Sequence, residues 1–416
     1  MNPLLSTPWD NNFRPSHKLN RASALFDAFG RLRVSDVSPL FDSKLSLGKL
    51  PLYWDEVTSA NASSTHVEVD SCVNMTVTTN GAYAIRQTRQ RWNYQPGRSQ
   101  LIKMTFKMST AQGVTSRVGP FHGNYAAPHL PHDGIYFEVA NGIASCNIVK
   151  GTESGGIVGT EKAVQSEWNI DRLDGSGPSG YTADWSKCQI LVIDFQWLGV
   201  GGVRYAIEVD SVIHYVHEFK HAGIVESVYM HNGTQPIRYE IRSTGGTGTL
   251  MQICTSVSSE GGMQKTGITT AVDTDGVLVS CPAGVIEMLI AVRIDPNNPD
   301  GQLLLEKAYT LNTANTSYRW IVLFNPVITG TPNWVNMPNS PFQVWSNAGT
   351  AITMTGGLPL DSGYASRDTR QSNDNTNPSV NPAISISGTP DIIALGIASI
   401  GGASTCAGGL GIRHLV

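Results

Sequence analysis

Charge is scarce in this 416-residue chain, where only 15% of residues are Asp, Glu, Lys or Arg, against about 25% in an ordinary globular domain. The formal net charge is −4, so the basic footprint of a nucleic-acid binder is missing. The two most basic stretches, Arg86–Arg91 and residues 14–33, sit beside neutral or acidic sequence. They are read as solvated faces or as partners in salt bridges. CxxC pairs are absent from the six cysteines, Cys72, Cys146, Cys188, Cys254, Cys281 and Cys406. That spacing argues against a zinc cluster and against a disulfide framework, and isolated, reduced, buried thiols are expected instead. No cofactor motif is present: Gly245-Gly246-Thr247-Gly248 lacks the following Lys of a phosphate loop, and no G-x-S-x-G occurs. The opening MNPLLSTPWDNNFRPS has no basic segment ahead of an apolar core, so no secretory leader is expected. The uncharged stretch Ile392–Ile412 contains six Gly and reads as two strands joined by a Gly turn rather than as a membrane span.

What is abundant is turn-forming sequence. There are 42 Gly and many Ser, Thr and Asn, while apolar residues at 40% and nine Trp are too many for a disordered chain. Residues 1–35 carry Pro3, Pro8 and Pro15 and read as an extended arm, with one helix-compatible run at Ala22–Phe29. From residue 36 onward short β-branched or aromatic runs follow one another. Ser99–Met108 alternates in character, as a strand with one wet face does. Asn141-Gly142 closes a hairpin between Gly134–Val139 and Ile143–Val149. Gln189–Trp197 is nearly all apolar and is placed at the centre of a sheet. A linker is expected at Ser258–Thr266, and a long polar loop at Ser366–Pro382. The predicted fold is all-β: an N-terminal arm (1–35), a β-sandwich of jelly-roll type (36–262) and a second β-sandwich domain (263–416).

Three constellations carry candidate chemistry. His217-Glu218-Phe219-Lys220-His221 matches the zinc-protease pattern, with His214 and His231 close by as further ligands. That pattern works on a helix, where the two His lie one turn apart. Here the flank Val212-Ile213-His214-Tyr215-Val216 is β-branched and aromatic. In a strand, His217 and His221 would stand about 13 Å apart, so His214, His217 and His221 are weak metal candidates only. His122, His129 and His132 punctuate a Pro- and Gly-rich segment ending at Asp133, which reads as an exposed loop reaching a neighbour or ligand. Glu138, Asp194 and Glu208 lie on predicted strands and offer carboxylates for a two-carboxylate glycosidase, or for the solvent face of any sandwich. Nothing nominates a nucleophile, and no catalytic residue is assigned.

Several stretches are similar to a known group. Phe29-Gly30-Arg31-Leu32-Arg33-Val34-Ser35 precedes Leu40-Phe41-Asp42-Ser43, and Ile85–Gly97 contains the run IRQTRQRWNYQPG. Trp168–Gly180, Asp194–Gly201 (DFQWLGVG), Pro236–Ile241 and Ser258–Gly262 continue the series. Together these resemble tailed-bacteriophage virion structural proteins over residues 28–262. The resemblance implies a particle component with no enzymatic activity, assembled in the host cytoplasm and resident in the virion. Its partners would be copies of itself and other virion proteins. Tail or baseplate is favoured, with collar and capsid decoration open. Phe29, Arg31, Arg33, Trp92, Tyr94 and Trp168 are the interface candidates. A second reading is a carbohydrate-binding module that attaches the particle to a host surface glycan. A third is a hydrolase, of either zinc-protease or glycosidase type.

Overall fold

The structure is a computed structural model that describes residues 27–28, 37–152, 155–261, 267–313, 316–349, 351–366, 371–373 and 381–415. Most of the arm lies outside these residues, as do Phe29, Arg31 and Arg33. The chain forms two compact units. Among the described residues the first runs to Thr88 and adds Tyr94–Asn124 and Leu130 to Gly261. The second takes Arg89–Asn93, Tyr125–His129 and everything from Gly267 onward.

The first unit holds β1 (Val37–Lys44), β2 (Trp54–Thr58), β3 (Ala62–Val67), β4 (Cys72–Val77), β5 (Tyr83–Thr88), β6 (Ser99–Lys107), β7 (Val114–Gly123) and β8 (Pro131–Ala140). It continues with β9 (Ile143–Gly151), β10 (Ile157–Val164), β11 (Gln189–Phe195), β12 (Val203–Val209), β13 (Val212–Phe219), β14 (Ile237–Ser243) and β15 (Gly248–Glu260). One antiparallel sheet has the order β13-β12-β11-β6-β15-β4-β3, with β1 also on β15; the other has the order β10-β9-β8-β7-β14-β5-β2. Local chemistry sets the hairpins. Asn141 and Gly142 both take positive φ between β8 and β9, as do Asp210 and Ser211 between β12 and β13, the backbone of the tight turns that match strand twist. β15 runs through Glu260, so the linker expected from Ser258 begins inside a strand.

The two sheets face each other across an aromatic core. Phe106 on β6 meets Phe137 on β8 at 5.9 Å between ring centroids, and Trp185 packs at a tilt against Phe137 at 5.0 Å. Polar groups also cross the gap. Tyr205 Oη donates to the Asn147 carbonyl at 2.6 Å, and the buried Arg86 on β5 donates from Nε to Gln252 Oε1 on β15 at 2.7 Å. Gly134 shows how closely the strands approach: at φ +133° a Cβ there would lie 2.4 Å from Phe121 Cα and 2.5 Å from the Pro120 carbonyl oxygen.

The second unit comprises β16 (Ile268–Asp273), β17 (Val279–Cys281), β18 (Glu287–Ile294), β19 (Leu303–Asn312), β20 (Ser317–Phe324), β21 (Val327–Ile328) and β22 (Val335–Asn336). It closes with β23 (Phe342–Ser346), β24 (Met354–Thr355), β25 (Leu358–Ala365), β26 (Gln371–Asn373), β27 (Ile392–Ile400) and β28 (Ser404–His414). A sheet of order β16-β28-β19-β26, with β17 also on β28, accompanies one of order β22-β23-β18-β27-β20-β25 and the β21-β24 pair. Both larger sheets feed one core, which includes Leu303, Leu410 and Ile412 from the first and Leu289, Tyr318 and Leu395 from the second. Met288, Ala291, Ile321 and Trp345 form another cluster. Neighbours in β18 therefore point into different clusters, which explains why that strand reads as an unbroken apolar run. The polar loop expected at Ser366–Pro382 contains β26, paired with β19. Ile392–Ile412 is indeed two strands, β27 and β28, and among the described residues no helix is long and apolar enough to cross a membrane.

Arginines of the Arg86–Arg91 stretch are not solvated. Arg86 is buried and pairs with Glu56 at 2.6 Å. In the second unit Arg91 pairs with Asp300 at 3.0 Å and Arg89 with Asp391 at 3.7 Å. A guanidinium that loses water must recover its hydrogen bonds within the fold, and these acids supply them.

Candidate functional site

The zinc-protease pattern begins on β13, where His217 faces Tyr205 of β12 and His214 faces Ile207. The strand ends at Phe219, so the helical spacing the pattern requires is not met. His221 is fully committed elsewhere. Its Nδ1 donates to the Gly201 carbonyl at 2.5 Å, its Nε2 contacts Glu161 Oε1 at 3.0 Å, and its ring stacks on Tyr229 at 4.2 Å. Both ring nitrogens are thus engaged by partners within the fold. His217 Nδ1 accepts from the Asn169 amide at 3.3 Å, and burial lowers its pKa from 6.5 to about 4, so the ring is neutral. Glu218 pairs with Lys220 at 3.2 Å. Glu218 and His221, with Arg204 and Asp27, line a cavity of about 230 Å³. Among the described residues no three His, Cys, Asp or Glu side chains are grouped to hold a metal ion.

The histidine segment after Gly119 is not the exposed loop its Pro and Gly residues suggest. β7 runs to Gly123 and β8 starts at Pro131, so His122 and His132 lie on paired strands, and His122, His129 and His132 are all buried. Asp133, which follows His132 on β8, is 1% exposed. It accepts hydrogen bonds from the amides of Gly151, His231 and Asn232 and from Gln235 Nε2, at 2.7 to 3.2 Å. Gln235 in turn binds His122 Nδ1 at 2.9 Å. One carboxylate thus ties three chain segments together.

The carboxylates do not form a glycosidase pair. Asp194 and Glu208 are on the same sheet, opposite Arg204 and Ile190 respectively. That offset of four residues is about 13 Å along the strands. Asp194 is paired with Arg204, and Glu208 with Lys103 at 3.2 Å. Glu138 is on the other sheet, where sequence reasoning missed its partner Glu240. Arg117 stands between them in register, opposite Glu138 on β8 and Glu240 on β14, so the two strands that carry the acids are about 9.5 Å apart and the side chains converge on one guanidinium. Arg117 binds both at 2.7 Å. Glu138 also takes Lys162 at 2.8 Å, while Glu240 takes Arg238 and Arg242 at 2.5 Å each.

Electrostatics follow from this crowding. Burial alone would raise both acids, but the surrounding cations outweigh it. Arg242, Arg238 and Arg117 hold Glu240 well below the carboxylate range, and Arg117 with Lys162 lowers Glu138. A glycosidase needs one carboxyl kept protonated and open space between the pair for sugar or water. Here both acids are ionised and a guanidinium fills the gap. The array holds strands together; it does not donate protons.

The interface candidates divide. Trp168 is buried against Phe137 and Trp185, and Tyr94 is buried against Phe195 and Trp197. Trp92 is also buried. Large aromatic rings contribute most when removed from water, and within this chain these three already are, so of the core and interface readings open to them the burial favours the core.

No protein-family model and no curated protein sequence matches the chain. Among solved structures, the Bacillus licheniformis β-glucanase superposes with a TM-score of 0.35 at 9% identity, covering 53% of this chain and 97% of that one. A legume lectin-like domain from Entamoeba histolytica gives 0.34 at 10% identity, covering 54% and 98%. The Emp47p carbohydrate recognition domain gives 0.33 at 10%, covering 53% and 96%. These are all proteins of the carbohydrate-active or carbohydrate-binding kind by name, and likeness at this level carries no inference about activity. The strand content and the two sandwiches make this an all-β protein on their own evidence.

Proposed function

We propose that the chain is a non-catalytic structural component of a tailed-phage particle, held there by contacts with copies of itself and with other virion proteins, tail or baseplate being the favoured place. One observation carries this reading: the stretches that resemble virion proteins supply framework residues. Arg86 bridges the two sheets of the first unit. Tyr94 and Trp168 fill its core. Asp171 accepts the amides of Leu173 and Ser179 and so closes the loop around Gly177, and Glu240 pairs with three arginines. A reactive site holds groups ready to change charge or partner. In these stretches the charged groups are spent on partners within the fold, which suits a part that must be stiff.

Mass spectrometry of purified particles tests the proposal. The chain is expected at a fixed ratio to the other structural proteins, through density-gradient purification and high salt. Loss of the chain from infectious particles would end the proposal. A glycan array probed with the full-length chain separates scaffolding from host attachment. Pure scaffolding predicts no binding, whereas saturable binding to one glycan class would move the function to attachment.

A further inference from the structure

Two of the six cysteines, remote in sequence, are brought together by the pairing of β17 with β28. Val279 faces Cys406, and Cys281 faces Ser404. Opposed residues of an antiparallel pair share a face, and Val279, Cys281 and Cys406 all enter the same core cluster. The thiols therefore occupy a diagonal of the ladder, and each leans toward the other. Cys281 Sγ lies 3.5 Å from the carbonyl oxygen of Val279, the residue opposite Cys406. Cys406 Sγ lies 3.5 Å from Oγ of Ser404, the residue opposite Cys281. Both residues are fully buried.

We propose that Cys281 and Cys406 are an oxidisable dithiol, which a small organic disulfide converts to an intrachain disulfide that pins β17 to β28. Chemistry favours Cys406 as the attacking group. The hydrogen bond between the two thiols lowers Cys406 and raises Cys281, and the thiolate is the nucleophile. Cys406 attacks one sulfur of the reagent, forming a mixed disulfide and releasing one reagent thiol. Cys281 gives up its proton and displaces the second reagent thiol from Cys406. The protein loses two protons and two electrons, and the organic disulfide takes them up to become two thiols.

Access comes from the weakness of β17. It is three residues long, follows the exposed Asp275, Gly276, Val277 and Leu278, and precedes the exposed Pro282, Ala283 and Gly284. Short strands between exposed turns open locally at far less cost than the whole unit. Cys188 and Cys254, by contrast, are exposed and would take up the reagent without a resolving partner.

The test uses the full-length chain carrying Cys188→Ser and Cys254→Ser, exposed to cystamine and then to denaturant. The proposal predicts loss of two titratable thiols, and a non-reduced digest in which the Cys281 and Cys406 peptides are joined. The melting temperature of the second unit should rise by about 5–10 °C, by the constraint a long disulfide loop places on the unfolded chain, and dithiothreitol should reverse it. Adding Cys281→Ser should leave cysteamine attached to Cys406, because the resolving thiol is gone. An unchanged thiol count, or a mixed disulfide that persists on Cys406 while Cys281 is present, would overturn the proposal.

Discussion

Replacing Glu240 with Gln isolates the buried ionic array, because it removes one charge and almost no volume. In the native protein the fully buried Glu240 carboxylate accepts from Arg117 Nη1 at 2.7 Å, from Arg238 Nε at 3.0 Å and Nη2 at 2.5 Å, and from Arg242 Nε at 2.5 Å. A hydrogen bond to a charged group contributes about 1.5–3 kcal/mol net. The Gln carbonyl retains part of that, but its NH₂ now faces guanidinium donors. Arg117 keeps Glu138 at 2.7 Å, and Arg238 keeps Gln87 at 3.2 Å, so the loss is partial. The expected cost is about 3–5 kcal/mol, the range for a buried pair broken from one side. In a unit of this size that lowers the melting temperature by about 10 °C. Differential scanning calorimetry and urea titration measure it, and the transition of the first unit should move while that of the second stays. A companion variant with Arg117, Arg238 and Glu240 all replaced by apolar residues of similar volume should lose less, because the most deeply buried charges leave together, Glu138 keeps Lys162 and the partly exposed Arg242 can turn to water. A loss below about 1 kcal/mol for Glu240→Gln, or a larger loss in the apolar triple variant, would refute the claim that this array holds the sheet by charge pairing.

Three further outcomes are expected. Gly134→Ala should destabilise the first unit by more than about 2 kcal/mol, since its Cβ would strike the backbone of Pro120 and Phe121; an unshifted melting curve would contradict the close approach. Stability should fall with acid in two windows. His217 titrates near 4 in the fold against 6.5 unfolded, so its contribution is complete above pH 6.5 and drains away as pH falls toward 4. That contribution is about 1–2 kcal/mol after solvent screening. Glu56, Glu138 and Glu240 are held below their unfolded value of 4.5. Their contribution is therefore complete above that value and is lost below it, and urea midpoints at pH 7.5, 5 and 3.5 read both windows. Glu218→Gln should leave stability within about 0.5 kcal/mol, and chelator should not move the melting temperature. A zinc-dependent transition lost in the variant would revive the protease reading.

Local chemistry was legible in the residues and long-range pairing was not. Asn141-Gly142 announces its turn because both residue types tolerate positive φ, Asp210 does so at the next hairpin, and alternation along Ser99–Met108 announces β6. The β-branched flank of His217 was enough to remove the helix its pattern needs. At Arg86 and Arg91 the residues left a solvated face and a salt bridge both open, and the fold takes the salt bridge. A lone Arg in sequence looks solvated, and its acid, Glu56 or Asp300, is remote along the chain. The same holds for Glu240, whose alternation with Arg238 and Arg242 looks like an ordinary wet strand face. Asp133 turned an apparent surface loop into a buried knot through amides that leave no mark on sequence. Cys281 and Cys406 looked isolated because only the strand order β17-β28 makes them neighbours.

Cryo-electron microscopy of the intact particle bears most directly on the central reading. The account predicts density into which the two β-sandwich units each fit, repeated with the symmetry of one particle substructure and touching neighbouring chains, with the Glu138–Arg117–Glu240 array closed and dry. A particle that is complete and infectious without this chain, or a first unit whose ionic array opens around a bound substrate, would contradict it.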